Sequence, residues 1–65
     1  MGNMKMKKKL KKVYKTGEVC ERPEGKMVGN LMRMVNGYHL MLFPDGLYGR
    51  DAKNDVWVKA WWEVA

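Results

Sequence analysis

The chain has a single cysteine, Cys20, a single histidine, His39, and no apolar run approaching the roughly 18 residues of a membrane-spanning helix. A lone cysteine closes no internal disulfide, and a secreted domain this small ordinarily needs several, so a reducing, cytoplasmic setting is expected. The basic start resembles the charged end of a signal peptide, but no apolar segment follows Lys12, so export by that route is not expected. His39 has no second ligand at metal spacing, and neither a metal nor a cofactor is implied. Cys20 and His39 lack the orienting acid and oxyanion-hole signature that a nucleophile pair requires. Gly17, Gly25, Gly29, Gly37, Gly46 and Gly49 are dispersed one per turn or bulge and form no phosphate-binding loop. A domain of 65 residues buries only about 60% of its unfolded surface, which leaves little core around a deep catalytic cavity. The expectation is a binding protein, not an enzyme.

What the sequence does contain is unevenly placed charge. Seven of the thirteen basic residues fall early, at Lys5, Lys7, Lys8, Lys9, Lys11, Lys12 and Lys15. From Thr16 to Ala65 six basic residues face seven acidic ones, so that stretch is net −1 while the whole chain is +6. Residues 1–12 read as a basic flexible arm and 13–65 as a single small β domain. The arm is expected to be disordered in isolation, with a helix induced on binding, since Met6, Leu10, Val13 and Tyr14 share one helical stripe while lysines in its first turn oppose the helix dipole. Compact lysine charges suit phosphate contact without base reading.

Turn signals organise the remainder. Asn36-Gly37 accepts positive φ at both central positions of a type I′ turn and is flanked by apolar runs, which predicts a β-hairpin. A two-residue loop pairs Val35 with Tyr38, Met34 with His39, Arg33 with Leu40, Met32 with Met41 and Leu31 with Leu42. Pro44-Asp45-Gly46 predicts a second reversal, leading to a short strand in which Gly49 suggests a bulge or bend. After a third turn at Lys53-Asn54-Asp55, alternation from Val56 to Val64 points Val56, Val58, Ala60, Trp62 and Val64 inward and Trp57, Lys59, Trp61 and Glu63 outward. Val13-Tyr14 and Val19-Cys20 are short apolar patches upstream, divided by Thr16-Gly17. The expected fold is all-β, a small five-stranded, partly open barrel of the SH3-like or OB-like kind. Residues 27–35 also fit helical spacing, with Asn36-Gly37 as a C-cap; Gly29 and the hairpin signal favour strand.

Two sets of side chains suggest function. Trp57 and Trp61 with Lys59 between them form a stacking face of the kind that holds single-stranded nucleic acid, with burial in a second small core as the competing explanation. The hairpin is apolar on both faces, so one must be covered by the arm, a second subunit or a partner. Met32, Met34, Met41 and Phe43, with His39, form the candidate protein interface, because methionine adapts to irregular surfaces. The leading expectation is nucleic-acid binding with little sequence specificity through the lysine arm and the aromatic strand face. The alternative is a protein-binding module, an inhibitor, adaptor or assembly factor, docking through the hairpin, either on its own or as a homodimer.

Overall fold

A computed structural model of the chain describes residues 11–65. Its five strands are β1 (Lys12–Cys20), β2 (Gly29–Val35), β3 (Tyr38–Phe43), β4 (Gly46–Asp51) and β5 (Val56–Val64). They form one antiparallel sheet in the order β1-β5-β4-β3-β2, so four strands follow one another as hairpins and the first returns beside the last. The fold is all-β, and the sheet is a partly open barrel. Its two free edges approach without forming a ladder: Asn36 Nδ2 donates to Thr16 Oγ1 at 2.9 Å, and the Arg33 guanidinium lies 4.4 Å from the centre of the Tyr14 ring. Residues 1–10 of the expected arm, Lys5, Lys7, Lys8 and Lys9 among them, lie outside the described residues, whereas Val13 and Tyr14, placed on its induced-helix stripe, are in strand β1.

Local chemistry accounts for the turns. Asn36 and Gly37 have φ of 53° and 87°, as a type I′ turn demands, and Val35 pairs with Tyr38 and Met34 with His39. Beyond those two pairs the predicted register fails. Asn30 pairs with Met41 and Gly29 with Leu42, because β2 is distorted between Asn30 and Met34. Asn30 Oδ1 accepts the Met32 backbone N–H at 2.9 Å and bends the chain, leaving Met32 at φ 55°. Local side-chain bonding of this kind competes with the ladder. The same oxygen accepts from His39 Nε2 at 2.7 Å, which ties β2 to β3 at this bend.

The two apolar patches at the start of the body merge into one strand, β1, with a bulge between Thr16 and Val19. That strand begins at Lys12, which pairs with Val64, and the backbone of Lys11 accepts from Ala65 N–H at 2.9 Å. Lys11 and Lys12 therefore belong to the sheet's end instead of a free arm.

Cross-strand rows place the core. Leu40, Gly49 and Val58 align across β3, β4 and β5, and Leu40 and Val58 are the most completely buried side chains. Gly49 is in regular register and forms no bulge. A Cβ there would sit 2.8 Å from Tyr38 Cβ and 3.1 Å from Val58 Cγ2, so glycine is required by close packing on the concave face. Gly49→Ala should cost about 1–3 kcal/mol through overpacking, read as a lower midpoint in urea unfolding; an unchanged midpoint would contradict this packing.

The convex face has its own small core. Phe43 and Trp57 are 3% and 8% exposed and meet edge to face at 5.5 Å, with Tyr48 edge-on to Phe43 at 5.7 Å. The connection between β1 and β2 covers them: Pro23 is buried, and the Arg22 guanidinium lies 5.9 Å from the Phe43 ring centre and 5.7 Å from that of Trp57. Both sheet faces are apolar because each packs against the chain itself, the concave face by curling and the convex face under residues 21–28.

The last turn is held by Asp51, whose Oδ1 accepts Lys53 N–H at 3.1 Å while Oδ2 accepts from Asn54 Nδ2 at 2.8 Å. The Asn54 side-chain bond is the main reason that this carboxyl titrates below the ordinary aspartate value. The folded state thus takes up the proton less readily than the unfolded chain. The resulting stabilisation is present above the ordinary carboxylate range and is lost as pH falls through it. Asp51→Asn should flatten that part of the stability profile in acid unfolding; an identical profile would show that the turn bonds do not couple to folding.

Candidate functional site

The strand face proposed from sequence divides into unlike parts. Trp57 is closed over by Phe43 and flanked by Arg22 and Arg50, so it is not open to stack on a base; its partners lie on distant segments that strand spacing does not reveal. Trp61 is 40% exposed, but its ring lies on Gly17, where a Cβ would come within 2.8 Å of it, and its Nε1 donates to Glu63 Oε2 at 2.9 Å. Lys59 is exposed between them. Trp57, Lys59 and Trp61 share a face without forming one open platform.

The candidate interface on the hairpin is likewise split. Phe43 is core, Met41 is half-buried at the wall of a convex-face cleft, and His39 is half-buried and bonded to Asn30. Met32 and Met34 remain, 79% and 63% exposed at the free edge of the sheet. The expected continuous Met32/Met34/Met41/Phe43 surface is absent because Phe43 is buried beside Arg22 of the β1–β2 connection and the Asn30 turn bends β2 at Met32 away from regular pairing.

A different aromatic pair is partly exposed, Trp62 at 47% and Tyr14 half-buried. Tyr14 on β1 and Trp62 on β5 are direct cross-strand partners on the concave face. Here β5 runs past the core, which leaves Trp62 exposed. Tyr14, Trp62, Lys12, Leu31, Leu42 and Leu47 line a concave groove of about 490 Å³. Each ring carries a cation: Lys12 Nζ is 4.6 Å from the centre of the Trp62 ring, and Arg33 lies over Tyr14. Such contacts hold the cations beside the rings with their remaining donors available to an anion. On the opposite face Lys15 reaches Glu63 at 3.9 Å, with both side chains about half exposed, an ion pair of little strength.

Lys12 thus joins two features that are separate in sequence, the lysine-rich N-terminal stretch and an open aromatic groove. Tyr14, Trp62 and Arg33 were not singled out as a site by sequence reasoning. The signal available was the inward alternation of Trp62, which pointed to core; only the pairing of the chain's first and last strands shows that the core ends before reaching it.

Among the described residues no three His, Cys, Asp or Glu side chains gather as a metal site, and no helix is long and apolar enough to cross a membrane. No protein-family model matches the chain, and no curated protein or solved structure is significantly similar to it.

Proposed function

We propose that this protein is a small non-catalytic binder of single-stranded nucleic acid with little sequence specificity. The lysine-rich segment meets phosphates, and the Tyr14/Trp62 groove stacks bases. The observation that carries the reading is the cross-strand pairing of a half-exposed Trp62 with a half-buried Tyr14, each with a cation over its ring, at the point where the lysine-rich segment enters the sheet. Aromatic rings accept any base face, and lysines accept any phosphate, so the combination supplies affinity without a code. A cytoplasmic setting suits the free Cys20. Fluorescence anisotropy of a labelled single-stranded oligonucleotide at low salt tests the reading, which requires saturable binding.

The exposed methionines support a second reading. Met27, Val28, Met32 and Met34 are 46%, 64%, 79% and 63% exposed along or beside edge strand β2. That apolar edge suits a protein partner or a second copy of this chain. Under this reading Met32→Lys with Met34→Lys abolishes a protein complex or a dimer and leaves oligonucleotide affinity unchanged.

A further inference from the structure

The convex face contains a cleft of about 450 Å³ whose wall includes Arg22, Arg50, Met27, Met41, Asp55 and Trp57. Its position, on the side of the sheet away from the Tyr14/Trp62 groove, follows from the rows of paired residues: Trp57 lies opposite Arg50 and Cys20, whereas Trp62 lies opposite Tyr14. Two guanidiniums reach the cleft from separate segments, Arg22 from the β1–β2 connection and Arg50 from β4. Both are braced on one ring, at 5.7 Å and 5.6 Å from the centre of Trp57. Bracing reduces the rotamer freedom that two long side chains would lose on binding a ligand.

Their donors are only partly used. Arg22 Nη1 donates to Pro23 O at 2.9 Å, and Arg50 Nη2 donates to Asp55 Oδ1 at 3.1 Å. Among the described residues, Arg50 Nε is shielded from solvent and has no hydrogen-bond partner. Buried donors without partners are rare and call for an explanation. The Asp55 carboxylate already occupies one edge of the Arg50 fork, which shows that an anionic oxygen is accommodated there. A single carboxylate is satisfied by one fork in one plane. Two forks arriving from different segments match the several, non-coplanar oxygens of a phosphate.

We infer that the Arg22/Arg50 cleft binds a phosphate group. The site is independent of the Tyr14/Trp62 groove: it takes a single phosphate by paired guanidiniums, with Asp55 as an internal competitor for Arg50. The Met27 and Met41 walls leave space for whatever the phosphate is attached to.

The test follows the arginine Nε–Hε resonances of the full chain by two-dimensional NMR at constant ionic strength. Inorganic phosphate, a nucleoside 5′-monophosphate and a short single-stranded oligonucleotide are titrated separately. The inference predicts a saturable shift of the Arg50 Nε–H signal with a phosphate ligand. Saturation by inorganic phosphate identifies a free-anion site, and saturation only by the nucleotide or the oligonucleotide identifies an attached phosphate. Arg22→Gln should weaken this binding about tenfold, the scale of losing a charged hydrogen bond. Asp55→Asn should tighten it at least about threefold, the scale of releasing an exposed ion pair. Glu18→Gln, an equal change of charge on β1, should leave it unaltered. No saturable Arg50 shift with any of the three ligands overturns the inference, and so does an equal response to Asp55→Asn and Glu18→Gln. Oligonucleotide binding that shifts Trp62 but never Arg50 overturns it while leaving the function proposed for the groove intact.

Discussion

Trp57→Ala is expected to unfold the protein, whereas Trp62→Ala is expected to leave it folded and weaken its hold on single-stranded nucleic acid. The two residues are on the same strand and differ in what lies above them. Trp57 is 8% exposed and packs against Phe43 with Arg22 and Arg50 at its sides, so truncation opens a cavity in the only apolar cluster of the convex face among the described residues. Loss of a buried tryptophan costs about 3–5 kcal/mol. A domain this small has little stability beyond that amount. Trp62 is 47% exposed at the end of β5 and contributes a groove wall instead of core. Its removal should cost about 1–3 kcal/mol of binding, the range for one stacked base. Thermal unfolding by circular dichroism and anisotropy titrations on both variants check the contrast. A folded Trp57→Ala protein, or a Trp62→Ala protein with full affinity, would contradict this division of roles.

The second large effect concerns the lysines. Changing Lys5, Lys7, Lys8 and Lys9 together to glutamine removes four positive charges from a chain whose net charge is +6. If each lysine neutralises one phosphate of a single strand, the slope of log affinity against log salt becomes shallower by about 0.7 per lost contact, or about 3 for all four. Affinity at low salt falls steeply and affinity at high salt changes little, since the groove contacts remain. A slope equal to that of the unaltered protein would place the phosphate contacts elsewhere on the molecule.

These expectations indicate which parts of the molecule are legible in its sequence. Short-range chemistry is: the positive φ of Asn36 and Gly37 and the two pairs beside them follow from that dipeptide, and the alternation of β5 follows from its spacing. The all-β class and the five strands follow from the same signals. The register of β2 is not legible, because one amide, Asn30, can either project from a ladder or bond the Met32 N–H, and a pairing pattern does not choose between them. Gly49 has the same character. A glycine in a strand is compatible with a bulge or with a crowded row, and only Tyr38, Leu40 and Val58 brought together decide for the second.

The site was half legible for a related reason. Spacing places Trp57 and Trp61 on one face correctly, but burial depends on the connection across residues 21–28, which lacks periodicity and carries Arg22 onto the ring. Conversely, Trp62 alternates inward with Val58, yet it lies where β5 outruns the core and meets Tyr14 from the other end of the chain. Aromatic content and lysine clustering are the sequence features on which the proposed chemistry rests. Long-range pairing decides which rings are open to perform it.

The most direct test of the account is a titration of the full chain with a single-stranded oligonucleotide, followed by tryptophan emission across a series of salt concentrations. Stacking on Trp62 predicts quenching that saturates, and phosphate contact by the lysines predicts an affinity that falls linearly with log salt at a slope of several contacts. Absence of saturable quenching at low salt, or an affinity indifferent to salt, would contradict the proposal that this lysine-rich chain binds nucleic acid through the Tyr14/Trp62 groove.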